Sequence, residues 1–265
     1  MTNPPANIKN GQKVPILVYH HIYAESSPEL ETIDTGMGAG VLGEAEFRRQ
    51  MEHLANENWT VVSTSRVIDW IIEGTSVPER AVVLHFDNGW LDTVTVAFLR
   101  DFGFRATCFP ITNGLEAATN SESIEVRTLT EGVVEKPFMT WDQVRELVDA
   151  GWEIGAHTAT HCKVAETHSQ EGDDGVIREA EISIDLFRHR LDFAPDHFAY
   201  PSGSRNDSTD AVLSRYYRSL RLWHFDWPIR WSFTSDDTSP QAIECQNIDV
   251  RVTFEDFKRI FIEAT

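Results

Sequence analysis

Short apolar runs alternate along this chain with stretches whose apolar positions recur every three or four residues. That is the pattern of buried strands separated by amphipathic helices. Strands are predicted at Ile16 to Ile22, Val61 to Ser63, Ala81 to Asp87, Arg105 to Thr112, Trp152 to Ala156, His197 to Tyr200, Arg221 to Trp223 and Ile248 to Val250. Between them, Glu44 to Asn58 places Phe47, Met51 and Leu54 on one helical face, and a second helix runs through Val67, Ile68 and Ile71. Trp90 to Phe102 reads as a helix stopped by Gly103, and Thr140-Trp141-Asp142-Gln143 has the form of a capping box opening a helix through Val144, Leu147 and Val148. Val176 to Arg190, Asp207 to Arg218 and Thr253 to Glu263 complete the helices. Asn113 to Pro137 has no clear period and is expected to be a long surface loop that helps shape a substrate groove.

Repeated strand-then-helix units argue for an α/β fold, a distorted parallel (β/α) barrel of about seven strands, over an open doubly wound sheet. No internal repeat or linker divides the chain, so residues 14–265 are expected to form a single domain behind a flexible segment, residues 1–13.

Composition narrows the partners. Of 265 residues, 41% are hydrophobic, enough for a substantial core, and 42 acidic against 23 basic side chains leave a formal charge of -19. That charge repels polyphosphate, which argues against nucleic acid. No apolar run approaches the ~20 residues of a membrane-spanning helix. Met1 to Pro15 is polar and lacks the apolar centre of a secretory leader, so the sequence as it stands reads as cytoplasmic, or as extracytoplasmic if a leader was trimmed. Cys108, Cys162 and Cys245 are widely spaced without a C-x-x-C, which supports neither a disulfide framework nor a thiolate zinc cluster.

In a parallel barrel the chemistry gathers at the carboxyl ends of the strands. Four predicted strands end in groups suited to it: Tyr19-His20, Phe86-Asp87-Asn88-Gly89, His157 after Trp152 to Ala156, and Tyr200-Pro201. His157 and His161 stand at His-x-x-x-His spacing, which suits a divalent metal held by neutral imidazoles. An ordinary surface pair of histidines would show the same spacing.

Phe86-Asp87-Asn88-Gly89 resembles the F-D-D-G motif of the polysaccharide deacetylases, the NodB-like family-four carbohydrate esterases. His157-Thr158-Ala159-Thr160-His161 matches their H-[ST]-x-x-H, and Phe198-Ala199-Tyr200-Pro201 resembles an aromatic-proline motif. Tyr19-His20 resembles the branch with permuted motif order that includes the poly-N-acetylglucosamine deacetylases. The similarity spans about residues 14 to 261, and four motifs in order weigh more than any one.

The resemblance implies a metal-dependent de-N-acylase, a deacetylase or related deformylase, acting on an N-acylated amino sugar in a glycan or glycan precursor. Its cofactor would be a divalent transition metal, zinc first, with nickel or cobalt as alternatives. Asp87 would be the general base, the bland alternative being a carboxylate that caps the next helix. His20 would be the general acid, or else a buried structural histidine, and His21 should face away from the site by strand alternation. Metal ligands would be His157, His161 and Asn88, the last an amide where the family has a carboxylate, so that one anionic ligand is missing. Tyr200, Pro201 and Trp90 would contact substrate, with Trp141, Trp223 and Trp227 as further stacking candidates. A backbone N–H of Tyr200 or of the residue after Pro201 would hold the oxyanion. Asp92 is expected to neutralise a helix start, and Asp249 with Arg251 to form a strand-end pair. Leu222-Trp223-His224 matches the L-x-H motif of unpermuted members only superficially. Two other readings are a non-catalytic carbohydrate-binding relative weakened at Asn88 and a metal-independent amidohydrolase acting on a small cyclic or ureido compound.

Overall fold

The computed structural model describes residues 11–32, 40–129, 131–224 and 231–265. Trp227 and the first ten residues of the expected flexible segment lie outside them.

The strand Ala81–Asn88 is buried along its whole length. It pairs in parallel with Ile16–Tyr19 on one side, Leu17 opposite Leu84, and with Thr107–Pro110 on the other, Asp87 opposite Phe109. Glu153–Ile154 extends the sheet beyond Thr107–Pro110, Gln246–Asn247 extends it beyond Ile16–Tyr19, and Thr60–Val61 joins the start of Ala81–Asn88. His197–Ala199 and Ser219–Arg221 form a second parallel pair. Side chains of Ala81–Asn88 alternate between two apolar clusters, Leu84 and Phe86 in one and Val83 in the other. Burial on both faces is why this strand reads as a continuous apolar run.

These pairings establish an α/β fold on a parallel central sheet, and they stop short of showing closure into a barrel. Helices cover the sheet largely as their periodicity predicts. Glu44–Asn56 buries Phe47, Met51 and Leu54, and Trp141–Asp149 buries Val144 and Leu147 behind the Thr140–Gln143 capping box.

The structure departs from these expectations at four places. The predicted strand from Ile16 to Ile22 breaks at His20: Ile16–Tyr19 stays in the central sheet, while His21–Tyr23 turns away to pair with Val41–Gly43. Alternation therefore does not carry across the break, and His21 joins the cleft lining instead of facing away. Asn113 to Pro137 is not a loop but a helix, Thr112–Thr119, followed by an antiparallel hairpin, Glu125–Thr128 with Gly132–Glu135. Two turns of helix are too short to register as a period, and Gly114 is there because the Phe138 ring comes within 2.5 Å of where a Cβ would stand. Leu91–Phe102 is wound as a 3-10 helix with Trp90 as its cap. The helix expected from Val176 starts earlier and runs Val164–Leu191, kinked at Gly172.

Candidate active site

The strands deliver their carboxyl-terminal residues to one cleft. His20 follows Ile16–Tyr19, Asp87 and Asn88 end Ala81–Asn88, and His157 comes three residues after Glu153–Ile154. These four, with His161 and His21, line a single cavity. Among the described residues, Ser202, Trp223 and the hairpin residues Thr128, Leu129 and Glu131 also line it.

Asp87 is 1% exposed, and its partner is a residue that the sequence reading placed in a strand without a role. Arg221 Nη2 donates to both Asp87 oxygens at 2.6 Å. The guanidinium is itself buried, donates through Nη1 to the Leu222 carbonyl at 3.1 Å, and lies 5.2 Å from the centroid of the Phe109 ring. Burial alone would raise the Asp87 pKa; the Arg221 charge, helped by His157 and His20, outweighs it and holds the carboxyl down at about 2. The signal for Arg221 in the sequence was an arginine set between apolar neighbours in Leu220-Arg221-Leu222-Trp223.

His20 Nε2 lies 3.8 Å from Asp87 Oδ2. Burial lowers its pKa to about 4 despite the nearby carboxylate, so the ring is neutral at pH 7. His21 is stacked 5.2 Å from both Tyr23 and Trp90, with Nδ1 3.3 Å from Asp92 Oδ2. Asp92 also accepts from Ile22 N–H at 2.8 Å, so it ties the turn after His20 to the helix start at Leu91.

The two remaining imidazoles are each fixed by a carbonyl. His157 Nδ1 lies 2.8 Å from Ala199 O and His161 Nδ1 2.8 Å from Arg127 O. A carbonyl only accepts, so each Nδ1 carries the proton and each Nε2 keeps its lone pair. Burial lowers both pKa values, His157 to about 3, and the rings sit 5.0 Å apart, centroid to centroid. Asn88 Oδ1 is buried with no hydrogen-bond partner. Among the described residues no three His, Cys, Asp or Glu side chains converge at ligand spacing. The donors at hand are two imidazoles of the right tautomer and one orphaned amide oxygen, and they fit a divalent ion.

Backbone strain concentrates here. Of the seven non-glycine residues with positive φ among those described, Asn88, Thr158, His161 and Ser202 belong to the cleft loops. Gly89, at φ 77°, has no room for a side chain: an added Cβ would stand 2.6 Å from Pro110 Cβ. Gly89→Ala is therefore expected to destabilise the fold by about 1–3 kcal/mol, measurable as a lower denaturant midpoint with an unchanged slope.

Of the residues expected to touch substrate, Tyr200 and Trp90 are buried away from the cleft. Tyr200 donates its hydroxyl to Asp210 at 2.6 Å, and Trp90 packs on Phe138 and His21. Pro201 is buried too, and the cleft wall at this point is Ser202. Trp141 is buried with Nε1 donating to Glu116, whereas Trp223 does line the cleft. Asp249 and Arg251 form the expected pair, 2.6 Å apart. His224 pairs with Glu244 at a half-exposed site and is not among the cleft residues.

The family model described as polysaccharide deacetylase matches residues 74–218. The chain belongs to the polysaccharide deacetylase family. The matched span carries Asp87, Asn88, His157 and His161; His20 lies outside it and lines the same cleft, and Arg221, also outside it, is buried against Asp87. YxkH of Bacillus subtilis is 21% identical over 74% of this chain and 59% of its own length. The poly-beta-1,6-N-acetyl-D-glucosamine N-deacetylase of Escherichia coli is 30% identical over 42% of this chain and 17% of its own. The chain thus spans less than two thirds of either relative. Among solved structures, a de-N-acetylase from Aggregatibacter actinomycetemcomitans superposes with a TM-score of 0.75 at 19% identity, covering 94% of this chain and 99% of that one. The Streptococcus pyogenes deacetylase PplD does so with 0.73 at 21%, covering 95% and 99%. Among the described residues of this family member, no helix is long and apolar enough to cross a membrane.

Proposed function

We propose that this chain is a metal-dependent de-N-acylase that hydrolyses the amide of an N-acetylated amino sugar in a glycan. The observation that carries the reading is the convergence of Asp87, His20, His157, His161 and Asn88 in one buried cleft. The name of the Escherichia coli relative supports an N-acetylglucosamine polymer as the substrate class. The parallel bridges Ala156–Phe198 and Arg221–Ile243 support a distorted barrel as the frame that gathers these strand ends.

His157, His161 and Asn88 would hold the divalent ion, which when bound acidifies the attacking water and polarises the acyl carbonyl. Asp87 then takes the proton from that water. Arg221 keeps the carboxylate ionised and aims it, since both oxygens are tied to one nitrogen. His20 starts neutral, so it must gain a proton before it can act as an acid. Asp87, 3.8 Å away, is the group placed to pass one on, and His20 delivers it to the leaving amine. The backbone N–H of Ser202, the residue after Pro201, is the donor for the developing oxyanion.

Release of acetate from N-acetylglucosamine oligomers, measured with zinc, cobalt or nickel added and again after chelation, tests this reading. Metal-dependent release supports it, and metal-independent release removes it. A second reading, a carbohydrate-binding relative without turnover, is favoured by one observation: the third donor is the uncharged Asn88. Oligomer binding with no acetate released would select it. Asn88→Asp restores an anionic ligand and is expected to raise zinc affinity roughly tenfold or more, equivalent to about 1.4 kcal/mol. Isothermal titration decides, and equal affinities would show that residue 88 is no ligand.

A further inference from the structure

Glu179 is a buried carboxylate, 7% exposed, that none of the proposed proton transfers uses. It sits on the long Val164–Leu191 helix and points back at the loop joining His157 to His161. Its Oε2 accepts from the backbone N–H of Ala159 and of Thr160, each at 3.1 Å, and the Thr160 hydroxyl donates to the same carboxylate at 3.1 Å. A second element grips the loop from the other side: Asn113 N–H donates to Ala159 O at 3.0 Å.

The loop needs such a grip. Thr158 and His161 both adopt left-handed backbone, at φ 62° and 61°, a region that side-chain-bearing residues occupy only when the surroundings over-determine them. Two adjacent N–H groups aimed at one oxygen fix the path of Ala159 and Thr160 between those strained residues. That path sets where the two imidazoles stand relative to the Ala199 and Arg127 carbonyls that orient them. A buried carboxylate would be costly without partners, and here three donors from one short segment satisfy it.

We infer that Glu179 is a positioning residue for the metal site: by holding the Ala159–Thr160 backbone it sets the spacing and orientation of the His157 and His161 imidazoles. The inference rests on the proposed metal-binding reading for its consequence, but not for its geometry. What matters is the reach of the acceptor more than its charge. A glutamine keeps one oxygen at the same distance to take both N–H bonds, and its amide can donate to the Thr160 hydroxyl. An aspartate keeps the charge and falls one methylene short.

The test crosses those two properties. Zinc and cobalt affinities are measured by titration for the wild type, Glu179→Gln, Glu179→Asp and Glu179→Leu, at a temperature where circular dichroism shows each folded. In parallel, the imidazole Nδ1–H resonances of His157 and His161 are followed by NMR in the metal-free proteins. Glu179→Gln is expected to bind metal within about threefold of wild type, while Glu179→Asp loses about 10–100-fold, the range found when a group that orients ligands is removed. Glu179→Leu should lose at least as much, and the two Nδ1–H resonances should shift or broaden in the Asp and Leu proteins but not in Gln. If Leu does not fold, the Gln and Asp pair still decides. Equal losses in Gln and Asp, or metal affinity and resonances unchanged in Asp while only stability falls, would overturn the inference. If the wild type binds neither metal, the metal reading fails, and the Nδ1–H resonances alone judge whether Glu179 sets the imidazoles.

Discussion

Arg221→Met is expected to cost about 3–5 kcal/mol of stability, because it leaves Asp87 as a buried carboxylate with its main counter-charge removed. The volume is nearly conserved, so the loss reflects charge more than packing. The pH dependence separates this from a generic core defect. In the wild type the Asp87 pKa is held near 2, below its ordinary 3.8. The unfolded chain therefore binds more protons between those values, and this group adds stability as pH rises through that window and loses it as pH falls toward 2. Without Arg221, burial dominates and raises the pKa above 3.8, so the folded state becomes the better proton binder. The same group then takes stability away as pH rises above about 4. The difference between the two stability profiles, from urea melts at a series of pH values, should widen from pH 2 to pH 6. A constant difference would mean that the ion pair is energetically silent and that Arg221 serves only as packing.

Asp87→Asn is expected to depress hydrolysis of both amides and activated esters severely, since no group remains to take the proton from water. The loss should be about 10²–10⁴-fold, the usual contribution of a positioned proton acceptor. His20→Ala should behave differently. An activated ester leaves without needing a proton, whereas an amine does not, so the His20 variant should lose amide cleavage far more severely than ester cleavage. The measurement is the ratio of kcat/KM on an N-acetylated oligomer to that on an aryl acetate, with metal content matched between variants. Equal depression of both substrates by both variants would end the acid role for His20. Asp87→Asn also leaves Arg221 buried without its carboxylate, so its fold must be checked by near-ultraviolet circular dichroism before the kinetic loss is assigned to chemistry.

Short-range pattern made the central frame legible. Ala81–Asn88 was readable because a strand buried on both faces is mostly apolar, and the carboxylate, amide and glycine at its end mark a sharp turn where Gly89 meets Pro110. The Thr140–Gln143 capping box and the apolar face of Glu44–Asn56 were readable because both are set by neighbours within one or two turns. The His157–His161 pair was legible as spacing, and the family resemblance came from motifs of that local kind.

What the sequence could not say depended on which distant residues meet. Arg221 lies 134 positions from Asp87, and the parallel pairings of Ser219–Arg221 with His197–Ala199 and of Arg221 with Ile243 carry it to that carboxylate. The Arg127 carbonyl that sets the His161 tautomer comes from a hairpin whose strands carry no alternation strong enough to announce them. Tyr200 and Trp90 looked like substrate contacts because aromatic residues at strand ends are suited to sugar faces. Tertiary packing turned both inward, Tyr200 onto Asp210 and Trp90 onto Phe138, and gave the wall to Ser202 and Trp223. The sequence by itself determined the parallel α/β frame, the chemistry-bearing strand ends and the family, because these follow from periodicity and contiguous motifs. Tertiary structure alone decided how Asp87 stays ionised despite its burial, the tautomers of the two histidines and the lining of the cleft, because each depends on burial and on partners brought from far along the chain.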